Sequence, residues 1–433
     1  MKLNSMQDKK VTLQNRPPRF LKVIERGPGL GEGIRGLRDS LTVASIGAGL
    51  VSAIFGVTGP ALILVDGAAG ADLSQGQTVA WISAVYLFGG LISFVMGLYY
   101  KQPIVGAWSI PAAALIANNL QNYSLGEMIG AYFLASILVL ALGLSGWMNK
   151  IVRWLPMPIL MAMIGGVLMK YAIDTVDAAI AAPVIVGSAI VGFLLLSRFI
   201  KSIPGVVGAL IFGTIAAFAT GAFDRQGVDL EWVWPEITAP EFDIVTMLAV
   251  GIPLALVIQA ENTQSMGILL ANGYKPPVNS ITTISGIASL IVAPLGGHNA
   301  SIAGPMTAIC GSREAGEQLN KRYGSVIVNG AIFIAFGLFA SVAVVLITVL
   351  PAELITALAG LAMLTVLVSA FKGAFVDETF KLGALVALVV GISGITLFGI
   401  SAPFWALLFG LATSLILEQG DFSRKQDDIL VGE

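Results

Sequence analysis

The sequence predicts an all-α polytopic membrane protein of about fourteen spans, built as a seven-plus-seven inverted repeat. Three observations predict it: an extreme composition, a one-sided distribution of basic residues and a weak internal repeat. Of 433 residues, 56% are apolar and only 12% charged, and the mean hydropathy is +0.87. Soluble domains carry about 25% charge, so this chain lacks the side chains to cover a water-facing surface and must use lipid as its main solvent. Its 50 Gly and 19 Pro suit helices that approach closely in a membrane. A net charge of −2 says nothing about partners, and the single cysteine, Cys310, excludes an internal disulfide framework. The first forty residues are polar and basic without an apolar h-region, so no cleavable signal peptide is expected.

Hydropathy places spans 1 and 2 at Leu41–Val65 and Gln77–Tyr99, a short span 3 at Ser109–Leu120 and span 4 at Leu125–Trp147. Spans 5 to 7 follow at Leu155–Ala172, Ala178–Leu196 and Ile203–Ala222. After a polar loop come span 8 at Ile244–Leu270, span 9 at Ser280–Leu295 and a short span 10 at Ile302–Gly311. Spans 11 to 14 are Ser325–Val349, Glu353–Phe371, Lys381–Ile400 and Pro403–Leu417. The chain thus divides into a polar N-terminal segment (1–40), a first repeat (41–222), a loop (223–243), a second repeat (244–417) and a tail (418–433). Of the 24 Lys and Arg, nine precede span 1, and the loops after even spans carry Lys101, Lys150, Arg153, Arg198, Lys201, Lys275, Arg313, Lys321, Arg322, Lys372 and Lys381. With Arg424 and Lys425 these share one face, leaving only Lys170 and Arg225 on the other. The positive-inside rule then puts both termini in the cytoplasm and the Asp224–Asp243 loop, with six acids and one Arg, outside. Dropping one span would invert every later loop and spoil the pattern.

The halves echo each other. Ser109-Ile110-Pro111-Ala112 opens span 3 and Ser301-Ile302-Ala303-Gly304-Pro305 opens span 10, an offset of 192 residues (301 − 109). Leu155-Pro156 with Ala162 and Gly165 recurs as Leu350-Pro351 with Ala357 and Gly360, an offset of 195 (350 − 155). Seven spans per half is an odd number, so the second half enters the membrane upside down.

Spans 3 and 10 are too short to cross about 30 Å of hydrocarbon, and each follows an irregular stretch, 102–108 and 294–300. The expected arrangement is an extended segment to the midplane followed by a half-helix, with Ser109 and Ser301 as N-caps and Pro111 in the first turn. Two half-helix N-termini would face each other and present free N–H groups to a carboxylate or other electron-rich solute. Glu261 lies deep in span 8, and an acid at that depth is a candidate proton carrier. Gln259, Asn262, Thr263 and Gln264 make its surroundings polar, which suggests a wet cavity. Candidate binding residues are Trp108, Ser109, Ile110, Glu261, Asn262, Gln264, Asn299, Ser301 and Ile302, with Trp108 able to stack on a planar ring or to pack against span 1. His298, the lone histidine, stands near an interface just before span 10 as a candidate pH sensor. Lys170, Asp174 and Asp177 read as a solvated outer-face cluster, and Gly59-Pro60 should kink span 1. No phosphate loop, metal-ligand cluster or nucleophile–base pair is present, so neither enzyme activity nor a cofactor is expected.

The segment Ala107-Trp108-Ser109-Ile110-Pro111-Ala112-Ala113-Ala114-Leu115 resembles that of the benzoate–proton symporter family. So do Leu295-Gly296-Gly297-His298 followed by Thr307-Ala308-Ile309-Cys310 and Glu314-Ala315, and Asn272-Gly273-Tyr274 with Pro277-Val278. The resemblance runs roughly from Leu41 to Leu417 and implies an architecture similar to the nucleobase–ascorbate transporters. It implies a core domain of spans 1–4 and 8–11 (about 41–147 plus 244–349) and a gate domain of spans 5–7 and 12–14 (about 155–222 plus 353–417). It further implies a bacterial inner-membrane, proton-coupled importer of a small planar aromatic carboxylate such as benzoate. Where that family usually reads Ser-Gln-Asn and then Pro-Gly, this chain has Glu261-Asn262-Thr263-Gln264-Ser265-Met266-Gly267, an acid reminiscent of nucleobase transporters. A proton-coupled nucleobase transporter therefore stays open as the alternative, with an anion channel or exchanger third. Expected partners are a small-molecule substrate, protons and lipid, without nucleic acid, and a homodimer is left open.

Overall fold

The computed structural model describes residues 24–147, 156–200, 205–222, 232–348, 350–376, 378–397 and 400–422. Lys150, Arg153, Lys201, Arg225, Arg424, Lys425, the residues before 24, Leu155 of the repeat and 224–231 of the polar loop lie outside the described residues.

A helix that the sequence reading left in the polar N-terminal segment, α1 (Leu30–Ser40), precedes the spans. The first half then continues with α2 (Val43–Gly70), α3 (Gln75–Tyr100), strand β1 (Gly106–Ala107), half-helix α4 (Ile110–Asn119), α5 (Leu125–Ser145), α6 (Met157–Ala181), α7 (Pro183–Phe199) and α8 (Gly205–Thr220). In the second half a helical lead-in, Ile244–Thr246 and the π-turn Met247–Gly251, runs into α9 (Ile252–Ala271). After it come α10 (Val278–Val292), strand β2 (Ser301–Ile302), half-helix α11 (Gly304–Gly311), α12 (Tyr323–Leu338), α13 (Ala340–Thr348), α14 (Ala352–Phe375), α15 (Lys381–Ser393) and α16 (Ala402–Leu417). A short hairpin, β3 (Thr396–Leu397) with β4 (Ile400–Ser401), joins the last two. Among the described residues seven helices are long and apolar enough to cross a membrane, and four shorter apolar ones accompany them.

Local chemistry sets several helix starts. Thr42, Ser74 and Ser124 each close a reciprocal capping box with the residue three positions on, satisfying N–H groups that a helix start leaves free. The packing is repeat-related: α3 lies against α12 and α5 against α10, α7 against α8 and α15 against α16, while α6 meets its counterpart α14. β1 and β2 pair antiparallel, Gly106 opposite Ile302 and Ala107 opposite Ser301, so the half-helices that follow them diverge in opposite directions. An inverted repeat requires this of its two equivalent segments.

Three boundaries differ from expectation. Helix α6 runs nine residues past Ala172 to Ala181, so Asp174 and Asp177 ride on its last turns with Lys170 instead of in a loop. Span 13 stops at Ser393, where Gly394 adopts a left-handed conformation at φ 63° before the hairpin. Span 11 is broken into α12 and α13 at Phe339. Pro60 does lie inside α2.

Candidate functional site

Ser109 is the N-cap of α4, its Oγ accepting from the Ala112 N–H at 3.3 Å, and Pro111 occupies the first turn. The expected counterpart, Ser301, is not a cap: it is paired in β2, and α11 starts three residues later with Ala303 as N-cap. Alanine has no side-chain acceptor, so the free N–H groups of α11 need a partner from elsewhere in the chain. That partner is Glu261. Its Oε1 accepts from the Gly304 N–H at 3.2 Å, and its Oε2 accepts from the Ser109 hydroxyl at 3.3 Å. One carboxylate therefore joins the N-terminal ends of both half-helices, where the helix dipoles favour negative charge. Gln264 packs close to this N-terminus: a Cβ at Gly304 would lie 2.8 Å from Gln264 Oε1, so that side chain would have to shift to admit one.

The strands behind this centre are tied by polar side chains. Ser109 N–H donates to Asn299 Oδ1 at 3.2 Å, and Asn299 Nδ2 donates to Ser301 Oγ at 2.9 Å. Asn262 Oδ1 accepts from Ile302 N–H and from Ser285 Oγ, both at 3.2 Å. Ser265 and Ser289 bond the carbonyls of Ile302 and Ala300. Irregular backbone deep in the protein is thus satisfied from α9 and α10.

His298 is fully buried. Its Nδ1 accepts from the Trp81 indole N–H at 2.9 Å, which can only donate, so Nδ1 carries no proton. Nε2 then donates to the Ser109 carbonyl 3.4 Å away. Trp108 packs edge-on to both His298 and Tyr86, with centroids 5.6 and 5.7 Å away. His298 and Trp108 thus pack together behind the Ser109 cap, the imidazole neutral with both nitrogens partnered.

A cavity of about 970 Å³ reaches Glu261, Gln264, Ile110 and Pro111 from one side, and Phe55, Phe193 and Leu361 give it apolar walls. Three of the nine candidate binding residues, Ile110, Glu261 and Gln264, line it. Trp108, Ser109, Asn262, Asn299, Ser301 and Ile302 stand behind it and shape the two N-termini. The polar run of α9 is not one wet patch, because successive residues point about 100° apart. Gln259 and Thr263 line a separate cavity of about 380 Å³ with Leu138 and Met157. A further cavity of about 510 Å³, at the opposite ends of α2, α4 and α6, gathers Asp66, Lys170, Asp174, Asp177, Glu353 and Thr356. Lys170 is paired with Asp174 at 2.8 Å there.

Two residues escaped the sequence reading. Gly304 supplies its backbone N–H, and the signal was available: Pro305 follows Pro111 by 194 residues (305 − 111), which aligns Ala303 with Ser109. Arg322 is buried and donates at 2.6 Å to the carbonyls of Gly311 and Gly316. It places a cation at the C-terminal end of α11, opposite the Glu261 end, so both ends of that dipole are compensated.

Residues 39–416 match the family model of the benzoate membrane transport proteins. The chain belongs to that family. Within it, the chain is 30% identical over 385 residues to the benzoate membrane transport protein of Acinetobacter baylyi, covering 89% of this chain and 98% of that protein. It is 29% identical over 371 residues to the inner membrane protein YdcO of Escherichia coli K12, covering 86% and 95%. In fold this family member is similar to the transmembrane domain of the cyanobacterial bicarbonate transporter BicA, with TM-score 0.59, 13% identity and 85% and 97% of the two chains covered. It is similar to murine Slc26a9 in the inward-facing state as well, again at TM-score 0.59 and 13% identity, covering 95% and 74%. The family member is a membrane transporter of a small molecule, not an enzyme, and its fold is the inverted-repeat one.

Proposed function

We propose that the protein imports a small planar aromatic carboxylate, with benzoate as the leading candidate, together with a proton carried on Glu261. The observation that carries this reading is the Glu261 carboxylate bonded to Ser109 and Gly304 at both half-helix N-termini. Two donors suited to a substrate carboxylate, the Gly304 N–H and the Ser109 hydroxyl, already hold a carboxylate belonging to the protein. Protonating Glu261 neutralises it and loosens its hold on those donors, so an anionic substrate enters only with a proton. Phe55, Ile110, Phe193 and Leu361 offer an aromatic ring an apolar wall beside that polar end. The family and the name of the Acinetobacter relative support the substrate class.

In this reading the chain crosses a bacterial inner membrane fourteen times with both termini inside. The main cavity then opens to the cytoplasm, because it is lined near the starts of α2 and α8 and the end of α11. The core comprises about 41–147 plus 244–349, and the gate about 155–222 plus 353–417. Purified protein in liposomes should accumulate labelled benzoate when the interior is alkaline and stop when the pH gradient is collapsed. Accumulation that survives the collapse would remove the proton.

One observation favours a second reading. Glu261 and Gln264, about a turn apart, both reach the cavity and could pair with the N–H and C=O edge of a neutral nucleobase. Uptake of uracil or xanthine without benzoate uptake would select it.

A further inference from the structure

Helix α1 has three distinct faces. Gly33 is pressed against the backbone of Leu98 on α3, where any Cβ would collide, and Tyr323 donates to the Gly33 carbonyl at 2.8 Å. The segment before it is pinned by Glu25, whose carboxylate accepts from the N–H groups of Asn279 and Ser280 at 2.9 Å each, at the start of α10. Tyr100 donates to the Glu25 carbonyl at 2.9 Å, and Gly29 N–H to the Tyr99 carbonyl at 3.0 Å. The helix is therefore held against α3 and α12, and the segment before it against α10. Beside the buried face runs an exposed apolar stripe of Leu30 and Ile34, one turn apart, at 47% and 60% exposure. Arg38, exposed and one turn on from Ile34, edges this stripe, and Arg35, also exposed, lies further around the helix, beside Glu32 and Asp39 three and four residues from it. Lys101 lies near Gly36 and adds a third cation on the α3 side.

We propose that α1 is an interfacial helix that docks on anionic phospholipid, with Leu30 and Ile34 in the headgroup–acyl boundary and Arg35 and Arg38 on the phosphates. Only Leu41 and Thr42 separate α1 from the start of α2, the first membrane-length helix, so α1 lies at the level of the membrane surface. An apolar stripe edged by arginines is the pattern that binds there. Each arginine near an anionic surface strengthens binding about fivefold.

The test uses full-length protein in a Cys310→Ala background, labelled with an environment-sensitive fluorophore at Ile34→Cys or Glu32→Cys. It is reconstituted in phosphatidylcholine vesicles with or without phosphatidylglycerol. The position 34 probe should be quenched by shallow spin-labelled lipid and the position 32 probe by aqueous iodide. Spin-labelled phosphatidylglycerol should quench position 34 better than the choline lipid, with the preference falling about fivefold in each of Arg35→Gln and Arg38→Gln. Equal iodide quenching at both positions, equal quenching by the two lipids, or shielding of position 34 from both quenchers by a second protein surface would each overturn the proposal.

Discussion

Replacing Glu261 by Gln separates the charge of this side chain from its shape. In the structure Oε1 and Oε2 accept from Gly304 N–H and Ser109 Oγ at 3.2 and 3.3 Å. A substrate carboxylate reaching the same donors would lie within about 4 Å of the Glu261 carboxylate. At an effective dielectric of about 20, two like charges at that separation repel by about 4 kcal/mol, or roughly a thousandfold in Kd. With binding measured from about pH 5 to pH 8, wild-type affinity for benzoate should fall wherever Glu261 gives up its proton. Glu261→Gln carries no charge at any of these values. Its affinity should be flat with pH, close to wild type at the acid end and at least tenfold tighter at the alkaline end. Its amide oxygen can still accept from Gly304 N–H, so folding should survive, as a thermal melt will check. The mutant should exchange benzoate across proteoliposomes without concentrating it. Equilibrium binding measured across the range decides: a mutant that still weakens with pH, or matches wild type at pH 8, refutes the charge argument. Loss of binding at every pH with a normal melt would refute it too and select the nucleobase reading.

Four further outcomes follow from the same geometry. Ser109→Ala should lose about 1 kcal/mol of helix capping and slow uptake, whereas Ser301→Leu, at a sealed site bonded to Asn299, should lower the melting temperature before any binding defect can be read; a stable Ser301→Leu that merely fails to bind would place Ser301 in the cavity. Arg322→Gln should destabilise by about 3 kcal/mol through its two bonds to the end of α11, seen as a lower melting temperature and faster proteolysis near Gly311; an unchanged melt would refute it. Hydrogen bonds from Thr246 N–H and hydroxyl to Asp243 hold that carboxyl below its ordinary value, so its contribution is complete above about pH 4, the unfolded value, and is lost as pH falls through the lower folded one; wild type and Asp243→Ala should differ in melting temperature at neutral pH and converge near pH 2, and a constant difference would refute the assignment. A cysteine at the exposed Ala239, in a Cys310→Ala background, should react with an impermeant reagent from the outer face only, and labelling solely from the cytoplasm would end the fourteen-span topology.

The membrane fold was legible because lipid leaves a long-range record in sequence. Apolar runs of span length, proline-opened short segments and two agreeing repeat offsets were enough to place nearly every helix. Boundaries failed where that record is silent. Lys170, Asp174 and Asp177 read as the end of a span because they are charged, yet the backbone stays helical through them to Ala181, and Lys170 and Asp174 pair one turn apart. α1 was missed for the opposite reason: its few apolar residues make no span, and its amphipathic character shows only on the helical period.

At the site, residue types were legible and directions were not. An acid in the middle of α9 could be recognised as costly from sequence alone, but not that it would span two half-helices from different repeats. The misplaced cap shows how such a gap arises. Matching Ser109 to Ser301 satisfied the preference for a hydroxyl at an N-cap, while matching Pro111 to Pro305 would have kept the first-turn proline in register and left alanine at the cap. The structure follows the prolines. The α11 end thus has no side-chain acceptor of its own, and Glu261 completes it from α9. That asymmetry between nearly equivalent half-helices gives one carboxylate a hold on both, and it makes the protonation of Glu261 an event that reaches both repeats at once.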